Sequence, residues 1–228
     1  MSFYAGWCMR RADLRLVASA PLPYLLSLPR TAAPASGAWP LLCFLHGYDE
    51  GAPMPIRQAL TRHGPLAAAS APSATAEFIV VAAQLPTRGD VWYRYADAVQ
   101  EIVQQVRALH RADPQQTFLT GFSFGGNGAF DLALGQREFW AALWPVDPTR
   151  VPQADPERPV WLSSGAVSRH HAHAFIQRLH LGPLHGAGPE DRVYVDQGQD
   201  HVGTARLAYQ DERIYRWLLS KRLSSPGA

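Results

Sequence analysis

The sequence has very few cysteines: only two among its 228 residues, Cys8 and Cys43. Two cysteines cannot form a disulfide framework, and no Cys-x-x-Cys or Cys/His spacing typical of a zinc site is present. Cys43 lies in the apolar run 41–45, where a free cysteine behaves as a small buried apolar residue. We therefore expect no structural disulfide at Cys43 and no metal site.

Excess charge of either sign is also missing. The 21 basic and 19 acidic residues leave a net charge of +2, too little to favour nucleic acid or an acidic membrane surface as the main partner. No apolar run approaches the 18 residues needed for a membrane-spanning helix. Residues 1–16 do not have the organisation of a signal peptide. These absences predict a cytoplasmic protein with no nucleic-acid or membrane partner.

What the sequence does contain is typical of a globular protein. Its residues are 47% apolar and 11% aromatic, a composition that excludes global disorder. A chain of this length buries about 70% of the surface that its unfolded form exposes. We therefore expect a single domain over residues 1–228, with a full core and, from 18 glycines and 19 prolines, many sharp turns.

The hydrophobic pattern changes period repeatedly along the chain. Apolar runs bounded by turn residues predict strands, and apolar residues with a spacing of three or four predict helices. The predicted strands are 13–18, 23–28, 40–45, 78–83, 117–120, 140–146, 159–163 and 192–195; the predicted helices are 96–112, 127–134, 171–179 and 213–223, with a weakly helical stretch over 52–76. Two strands followed by alternating strands and helices predict an α/β sandwich whose mainly parallel sheet begins with an antiparallel pair.

One motif carries specific chemistry. Residues 121–125 read Gly-Phe-Ser-Phe-Gly, the Gly-x-Ser-x-Gly pattern of a nucleophile elbow, and they lie between a predicted strand and a predicted helix. Glycines at both ends allow the strand and the helix to approach closely, while the tight turn strains the serine. The pattern predicts Ser123 as a nucleophile at the amino end of a helix. The alternative is a glycine-rich turn with an incidental serine.

A nucleophilic serine needs N–H donors for the oxyanion that forms on the substrate. We expect one donor to be the backbone N–H of Phe124, directly after the nucleophile. The second is expected in the loop after strand 40–45, at the N–H of Tyr48, with Gly47 permitting the sharp turn. His46 is interpreted as a buried residue that fixes this loop rather than as a base.

The general base is expected late in the chain, because the usual order in such folds is serine, acid, histidine. His201 follows the last predicted strand and a glycine-containing loop, and its imidazole would take the proton from Ser123. Asp200, its neighbour in sequence, is a poor partner because adjacent side chains normally point apart. The alternative is that His201 is an ordinary surface histidine.

These segments together resemble the α/β-hydrolase superfamily. Within it the sequence is similar to the small esterases related to polyhydroxybutyrate depolymerases and feruloyl esterases, which are also described as phospholipase/carboxylesterase-like or as predicted peptidases. The resemblance lies in segments 24–29, 39–47, 113–126 and 209–219, and it extends over nearly the whole chain. It implies a three-layer sandwich, and hydrolysis of a small-molecule ester through an acyl-serine without a cofactor. The sequence has no insertion long enough for a large lid.

The sequence departs from these relatives at the acid of the triad. Their strand corresponding to 159–163 leads into a Gly-x-x-Asp loop, whereas Gly165 is followed here at the acid position by Ser168. A serine cannot stabilise the imidazolium by charge. Pancreatic-type lipases are similar to this chain in offering a carboxylate after the preceding strand, here Asp147, and we predict Asp147 as the acid. The alternative is that Asp147 only caps the turn 147–149.

Aromatic residues are expected around this site. The set comprises Tyr48, Trp92, Tyr93, Phe122 and Phe124, in loops at the carboxyl edge of the predicted sheet, where open α/β folds bind ligands. They suit an apolar or aromatic acyl or alcohol group. The alternative for these residues is ordinary core packing.

A cluster of histidines at 170–173 invites a metal interpretation, which we do not adopt. His171 and His173 are two residues apart, a spacing that brings both to one metal on a strand but not on the helix predicted here. We expect a polar rim near the site, with His170 contacting Ser168 or substrate.

The leading hypothesis is a serine carboxylesterase with Ser123, His201 and Asp147 as its triad. Ser168 at the usual acid position motivates a second hypothesis, a catalytically degenerate binding protein with a hydrolase fold. A third keeps the same site but changes the substrate to a thioester or a peptide bond.

Overall fold

A computed structural model describes residues 13–29, 34, 37–184 and 191–223. Cys8 lies outside the described residues. Cys43 is fully buried as a free thiol, and burial raises its pKa to about 12. Among the helices that are described, none has both the length and the apolar character needed to cross a membrane.

The described residues contain a nine-stranded sheet. The strands are β1 (Leu14–Val17), β2 (Tyr24–Ser27), β3 (Trp39–Leu45), β4 (Ile79–Ala83), β5 (Ala112–Phe122), β6 (Ala142–Val146), β7 (Val160–Ser164), β8 (Gly182–Pro183) and β9 (Arg192–Asp196). Their order is β1-β2-β4-β3-β5-β6-β7-β9-β8. The pairs β1/β2 and β2/β4 are antiparallel and the others are parallel. This confirms the mainly parallel sheet with an antiparallel start.

Helices cover both faces of the sheet. They are α1 (Ile56–Leu60), α2 (Ser73–Ala76), α3 (Ala96–His110), α4 (Phe124–Gly135), α5 (Ala166–Arg169), α6 (Ala172–Leu179), α7 (His201–Gln210) and α8 (Glu212–Leu219). The apolar sides of α3, α4 and α6 belong to one core, and those of α1, α2, α7 and α8 belong to the other. Two helical layers around one sheet form the predicted three-layer sandwich, and the β6–β7 connection, residues 147–159, is too short to form a large lid.

Strand β3 explains why the sequence had a continuous apolar run. Leu41 and Cys43 face the core under α3 and α4, while Leu42 and Phe44 face the opposite core. Because successive side chains of a strand point to opposite faces, a strand buried on both sides must be apolar at every position. The run therefore marks a central strand, and its carboxyl end carries the loop that begins at His46.

The boundary between α3 and β5 differs from the expectation. The helix was expected to run to residue 112 and to stop at Asp113–Pro114. Instead α3 ends at His110, and Arg111 caps it in the left-handed conformation with φ 54°. Asp113 and Pro114 then belong to β5. Because a non-glycine residue in that conformation has no strong sequence signal, the pattern placed the boundary too late.

Other helices also differ from the pattern. Helix α4 begins at Phe124, three residues before its predicted start, because its glycines lie inside the first turns. The stretch 52–76 forms the two short helices α1 and α2. Helix α7, which begins at His201, was not predicted, and the predicted helix 171–179 corresponds to α6.

Candidate active site

Ser123 occupies a strained turn between β5 and α4. Its backbone has φ 57° and ψ −116°, in a region that non-glycine residues rarely adopt. The turn is held to the sheet, because the Ser123 N–H donates to the carbonyl of Val146 at 2.9 Å. Strain retained at such a position is typical of functional sites.

The two glycines of the elbow lie where neighbouring backbone atoms leave no room for a side chain. A Cβ on Gly121 would lie on the carbonyl of Gly125, and a Cβ on Gly125 would lie on the carbonyl of Leu45. Neither glycine has a positive φ, so what they permit is the close approach of α4 to β5 and β3. This agrees with the reason that the motif predicts for them.

His201 and Asp147 meet at the carboxyl edge of the sheet. Nδ1 of His201 lies 2.7 Å from Oδ2 of Asp147. Asp147 follows β6 directly, has φ 41° and is fully buried. His201 is the first residue of α7, whose N-cap is Asp200. The Asp200 carboxylate accepts the N–H of Gly203 at 2.6 Å, so it faces its own helix and not the His201 ring.

Asp147 is stabilised as a carboxylate by several donors. Its Oδ1 accepts the N–H groups of Gly165 and Ser168 at 2.9 and 2.8 Å, and the hydroxyl of Ser168 at 2.6 Å. Burial raises the pKa of Asp147, but the hydrogen bonds from His201 and Ser168 outweigh it and leave the pKa below its usual range. Ser168 therefore donates to the carboxylate, although it occupies the acid position of the resembled family.

The ionised carboxylate determines the tautomer of His201. Because Asp147 accepts, Nδ1 of His201 carries the proton and Nε2 presents a lone pair. The ring of Phe122, the residue before Ser123, lies against the imidazole with centroids 4.5 Å apart. This contact places His201 beside the elbow, with 31% of its side chain exposed. The pair His201 and Asp147 therefore lies next to the residue that precedes Ser123, and the role of all three as a triad stays a prediction.

The two residues that carry the expected oxyanion donors contact each other through their side chains. Tyr48 begins a 3₁₀ turn, Tyr48–Glu50, and Phe124 begins α4. N–H groups at the start of a helix have no carbonyl partner within it. The rings of Tyr48 and Phe124 are in edge contact, with centroids 5.0 Å apart. The arrangement suits two backbone donors directed at one oxyanion, which stays a prediction.

Gly47 has a different role from the expected one. Its φ of −80° and ψ of −172° are open to any residue, so the turn itself does not require glycine. A Cβ there would lie 2.8 Å from Oε2 of Glu50. Glu50 is buried beneath the loop, and burial raises the pKa of its carboxyl. The glycine therefore makes room for the buried carboxyl group of Glu50. The sequence did not distinguish Glu50 from an ordinary polar turn residue.

His46 fixes the loop after β3, as expected. Its Nε2 accepts the N–H of Leu85 at 3.0 Å, so Nδ1 carries the proton and donates to the carbonyl of Gly47 at 2.7 Å. Burial lowers the pKa of His46 to about 4. The imidazole is therefore neutral at pH 7, with both nitrogens committed to the backbone.

Trp92 was expected above the sheet as a binding residue, but it is 1% exposed. Its indole N–H donates to the carbonyl of His46 at 3.0 Å, and its ring packs against the His46 ring. A Cβ on Gly128 would lie 2.6 Å from Trp92, so the indole is held tightly against α4. Trp92 is therefore buried and supports the loop after β3, and it also lines a cavity beside the elbow. Its expected part in substrate binding stays a prediction.

The other aromatic residues expected around the site differ in their exposure to solvent. Tyr48 and Tyr93 are 48% and 56% exposed. Phe122 is buried between the rings of His201 and His63, so it belongs to the core, which is the alternative left open for it in the sequence. His63 itself was not singled out, since nothing in its sequence neighbourhood marks it.

The histidines of segment 170–173 are exposed. Within the described ranges, no group of three or more His, Cys, Asp or Glu side chains is arranged to hold a metal ion. The expected contact between His170 and Ser168 is not formed by the Ser168 hydroxyl, which bonds to Asp147 and Ser164.

No protein-family model matches the sequence, and no curated protein matches it. Solved structures do. A thermostable esterase superposes with a TM-score of 0.70 at 18% identity, over 92% of this chain and 63% of that one. FphF, a fluorophosphonate-binding serine hydrolase from Staphylococcus aureus, gives 0.65 at 13% identity, over 92% and 100%. An S-formylglutathione hydrolase from Agrobacterium tumefaciens gives 0.61 at 13%, over 92% and 95%. The sheet order, the elbow and these superpositions agree: the chain has the α/β-hydrolase fold.

Proposed function

We propose that the protein is a serine hydrolase that cleaves small carboxylic esters through an acyl-serine intermediate. The observation that carries the proposal is the 2.7 Å contact between His201 Nδ1 and the buried carboxylate of Asp147, beside a serine held in a strained elbow. Solved structures with the same fold include an esterase and a fluorophosphonate-binding serine hydrolase, which adds support for this chemistry.

In the proposed mechanism, Ser123 Oγ attacks the carbonyl carbon of the ester while Nε2 of His201 takes its proton. Asp147 stabilises the resulting imidazolium. The N–H groups of Tyr48 and Phe124 stabilise the oxyanion. His201 then gives its proton to the departing alcohol oxygen. Water, activated by the same imidazole, finally attacks the acyl-serine and releases the acid.

The hypothesis of a degenerate, non-catalytic protein had its motivation in Ser168 at the usual acid position. That motivation weakens, because Ser168 supports a carboxylate from the neighbouring strand. The same groups would also attack a thioester, so a butyryl thioester belongs among the test substrates.

The test is hydrolysis of p-nitrophenyl butyrate and of the butyryl thioester by the wild type and by Ser123→Ala. Ser220→Ala is the matched control, since Ser220 caps the end of α8, where its hydroxyl donates to the carbonyl of Trp217. We expect wild-type turnover in Ser220→Ala and background turnover in Ser123→Ala. Undiminished hydrolysis by Ser123→Ala would overturn the proposal.

A further inference from the structure

A cavity of about 220 Å³ lies beside the elbow. Trp92 and Phe124 form its apolar wall, and Asn127, Asp131 and Arg150 form its polar wall. Phe124 directly follows Ser123, and its N–H is a proposed oxyanion donor. The cavity therefore begins where the carbonyl group of a bound ester would lie.

The polar wall is built by side chains that fix one another. Asn127 accepts the N–H groups of Thr149 and Arg150 at 3.0 and 3.2 Å and donates to the hydroxyl of Thr149 at 2.6 Å. These three bonds hold residues 149–150 against the first turns of α4. The backbone of Arg150 is consequently fixed relative to the nucleophile.

The guanidinium of Arg150 is only partly used. A single nitrogen, Nη2, donates to both oxygens of Asp131, at 2.6 and 2.5 Å. A guanidinium has five N–H donors in a rigid fork, so the bonds to Asp131 leave Nε and Nη1 outside them. The Arg150 side chain is 42% exposed. The ion pair with Asp131 thus orients the guanidinium and leaves Nε and Nη1 available to a ligand.

We propose that this cavity takes the acyl part of the substrate and that Arg150 binds a carboxylate at the far end of that acyl group. The preferred substrates are then monoesters of dicarboxylic acids. This inference rests on the proposed ester hydrolysis and specifies its substrate class. Planar bidentate binding of carboxylates is the interaction for which arginine is best suited.

The assignment to the acyl side follows from where the leaving alcohol must be. His201 has to reach the alcohol oxygen to protonate it, and His201 lies on α7. The cavity is lined by the segment 91–92, by α4 and by residues 149–150. Trp92 and α4 pack in the core on one face of the sheet, whereas α7 packs in the core on the other face. The alcohol therefore departs away from the cavity, and the acyl group enters it.

The experiment compares kcat/KM for anionic and neutral esters of equal acyl length, at pH 7.5 by pH-stat. The pairs are monomethyl glutarate with methyl pentanoate, monomethyl adipate with methyl hexanoate, and monomethyl suberate with methyl octanoate. Hydrogen bonds to charged groups are stronger than those between neutral groups, but solvent exposure reduces their contribution. We expect the wild type to prefer the anionic ester by about 5- to 20-fold at one of these lengths or more.

The decisive variant is the double substitution Arg150→Met/Asp131→Asn. This double variant has the same net charge in the cavity as the wild type, because the ion pair and the two new side chains are each neutral in sum. It removes the N–H donors of Arg150, so the preference for the anionic ester should fall to about 1. Arg150→Met alone leaves the Asp131 carboxylate unpaired, and the preference should fall below 1. Arg137→Met is the control, because Arg137 pairs with Glu157 on the surface and does not line the cavity; the wild-type preference should persist.

Three results would overturn the inference while leaving ester hydrolysis intact. One is a wild-type preference near 1 at every length, with Ser123→Ala inactive on the neutral esters. Another is a double variant, folded by circular dichroism, that keeps the wild-type preference. A third is a preference for acetoxyacetate over ethyl acetate, a further pair whose carboxylate is on the alcohol side, with none in the three pairs above; this overturns the acyl assignment. A wild type inactive on all of these esters would overturn the proposed function itself.

Discussion

Ser123 and Asp147 end two neighbouring parallel strands, and both have positive φ values, 57° and 41°. Non-glycine residues in sparsely populated conformations cost of order 1–3 kcal/mol each. The surrounding hydrogen bonds compensate for this cost, since Ser123 bonds to the end of β6 and the Asp147 N–H bonds to the end of β7 at 2.8 Å. The strain therefore fixes where the hydroxyl and the carboxylate point.

At the residue scale, Asp147→Asn tests the acid. An amide oxygen can keep one hydrogen bond but carries no charge to stabilise the imidazolium, and its NH₂ group would face donors. We expect turnover of p-nitrophenyl butyrate to fall by about 10⁴, as for the loss of the acid in other triads. Steady-state kinetics, with circular dichroism to verify folding, measure this.

Ser168→Ala is the matched comparison. It removes one donor to Asp147 and leaves the carboxylate, so a loss of about tenfold or less is expected. Unchanged turnover in Asp147→Asn, or an equal loss in both variants, would contradict Asp147 as the acid.

The lowered pKa of His46 predicts that the stability of the fold depends on pH. A free histidine titrates near 6.5, whereas burial lowers the pKa of His46 to about 4. Between pH 6.5 and pH 4 the unfolded chain binds this proton and the folded chain does not, so stability must fall as the pH falls through this range. The shift corresponds to about 3 kcal/mol when complete.

Urea unfolding at pH 7 and pH 4.5 measures this loss. The variant His46→Gln should lose less stability than the wild type over the interval, because its side chain does not titrate. His173→Gln, at an exposed position of α6, should match the wild type. Equal losses in the wild type and His46→Gln would contradict the prediction.

At the scale of elements, substitutions of two glycines in α4 distinguish the effect of close packing on stability from the effect of helix propensity. Gly125→Ala would place a methyl group on the carbonyl of Leu45, where backbone cannot move cheaply. We expect a loss of about 3 kcal/mol or more in stability, or no soluble protein. Gly126→Ala would place its methyl group 3.2 Å from Pro148 and 3.3 Å from the carbonyl oxygen of Gly121, and it should change stability by about 1 kcal/mol or less. Thermal denaturation ranks the two variants, and similar melting temperatures would refute the packing explanation.

The N-cap of α7 tests how His201 is positioned. Asp200→Ala removes the bond to the Gly203 N–H and should cost about 1 kcal/mol of stability. Because His201 is the first residue of that helix, fraying should lower turnover a few-fold, and Asp200→Ser should restore it. A loss comparable with that of Asp147→Asn would instead identify Asp200 as a participant in catalysis.

The strands were more predictable than the helices for a physical reason. Central strands such as β3 and β4 are apolar at every position, whereas α7 buries only small or polar-tipped residues: Thr204, Ala205, Ala208 and Tyr209. Without large apolar residues at helical spacing, α7 has no strong periodic signal. Its available signal was Asp200 as an N-cap, which was interpreted only as a poor triad partner.

At the scale of the whole molecule, the site is assembled at one edge of the sheet. Parallel strands end together at the same edge, so β3, β5, β6 and β7 bring the loop after β3, Ser123, Asp147 and Gly165 to one edge of the sheet. Open α/β folds bind their ligands at this edge. The residues of the Gly-x-Ser-x-Gly motif, 121–125, could be named from the sequence because their spacing along the chain is short and specific. Asp131 and Arg150 could not, because their contact joins α4 to the loop after β6 and depends on the packing between them.

The expectation of one domain over residues 1–228 and that of a cytoplasmic location stay predictions. The sheet itself does not depend on either. Its two cores share every central strand, so the elbow, the carboxylate and the imidazole should be lost together when the sheet unfolds. A fluorophosphonate probe, which modifies only an activated serine, reports on all three at once.

The most direct measurement is therefore labelling with a fluorophosphonate followed by mass spectrometry of the digested protein. We expect one adduct, on Ser123, that is absent from Ser123→Ala and forms far more slowly in folded Asp147→Asn. An unlabelled wild-type protein, or an adduct on a different serine, would contradict catalysis by this site.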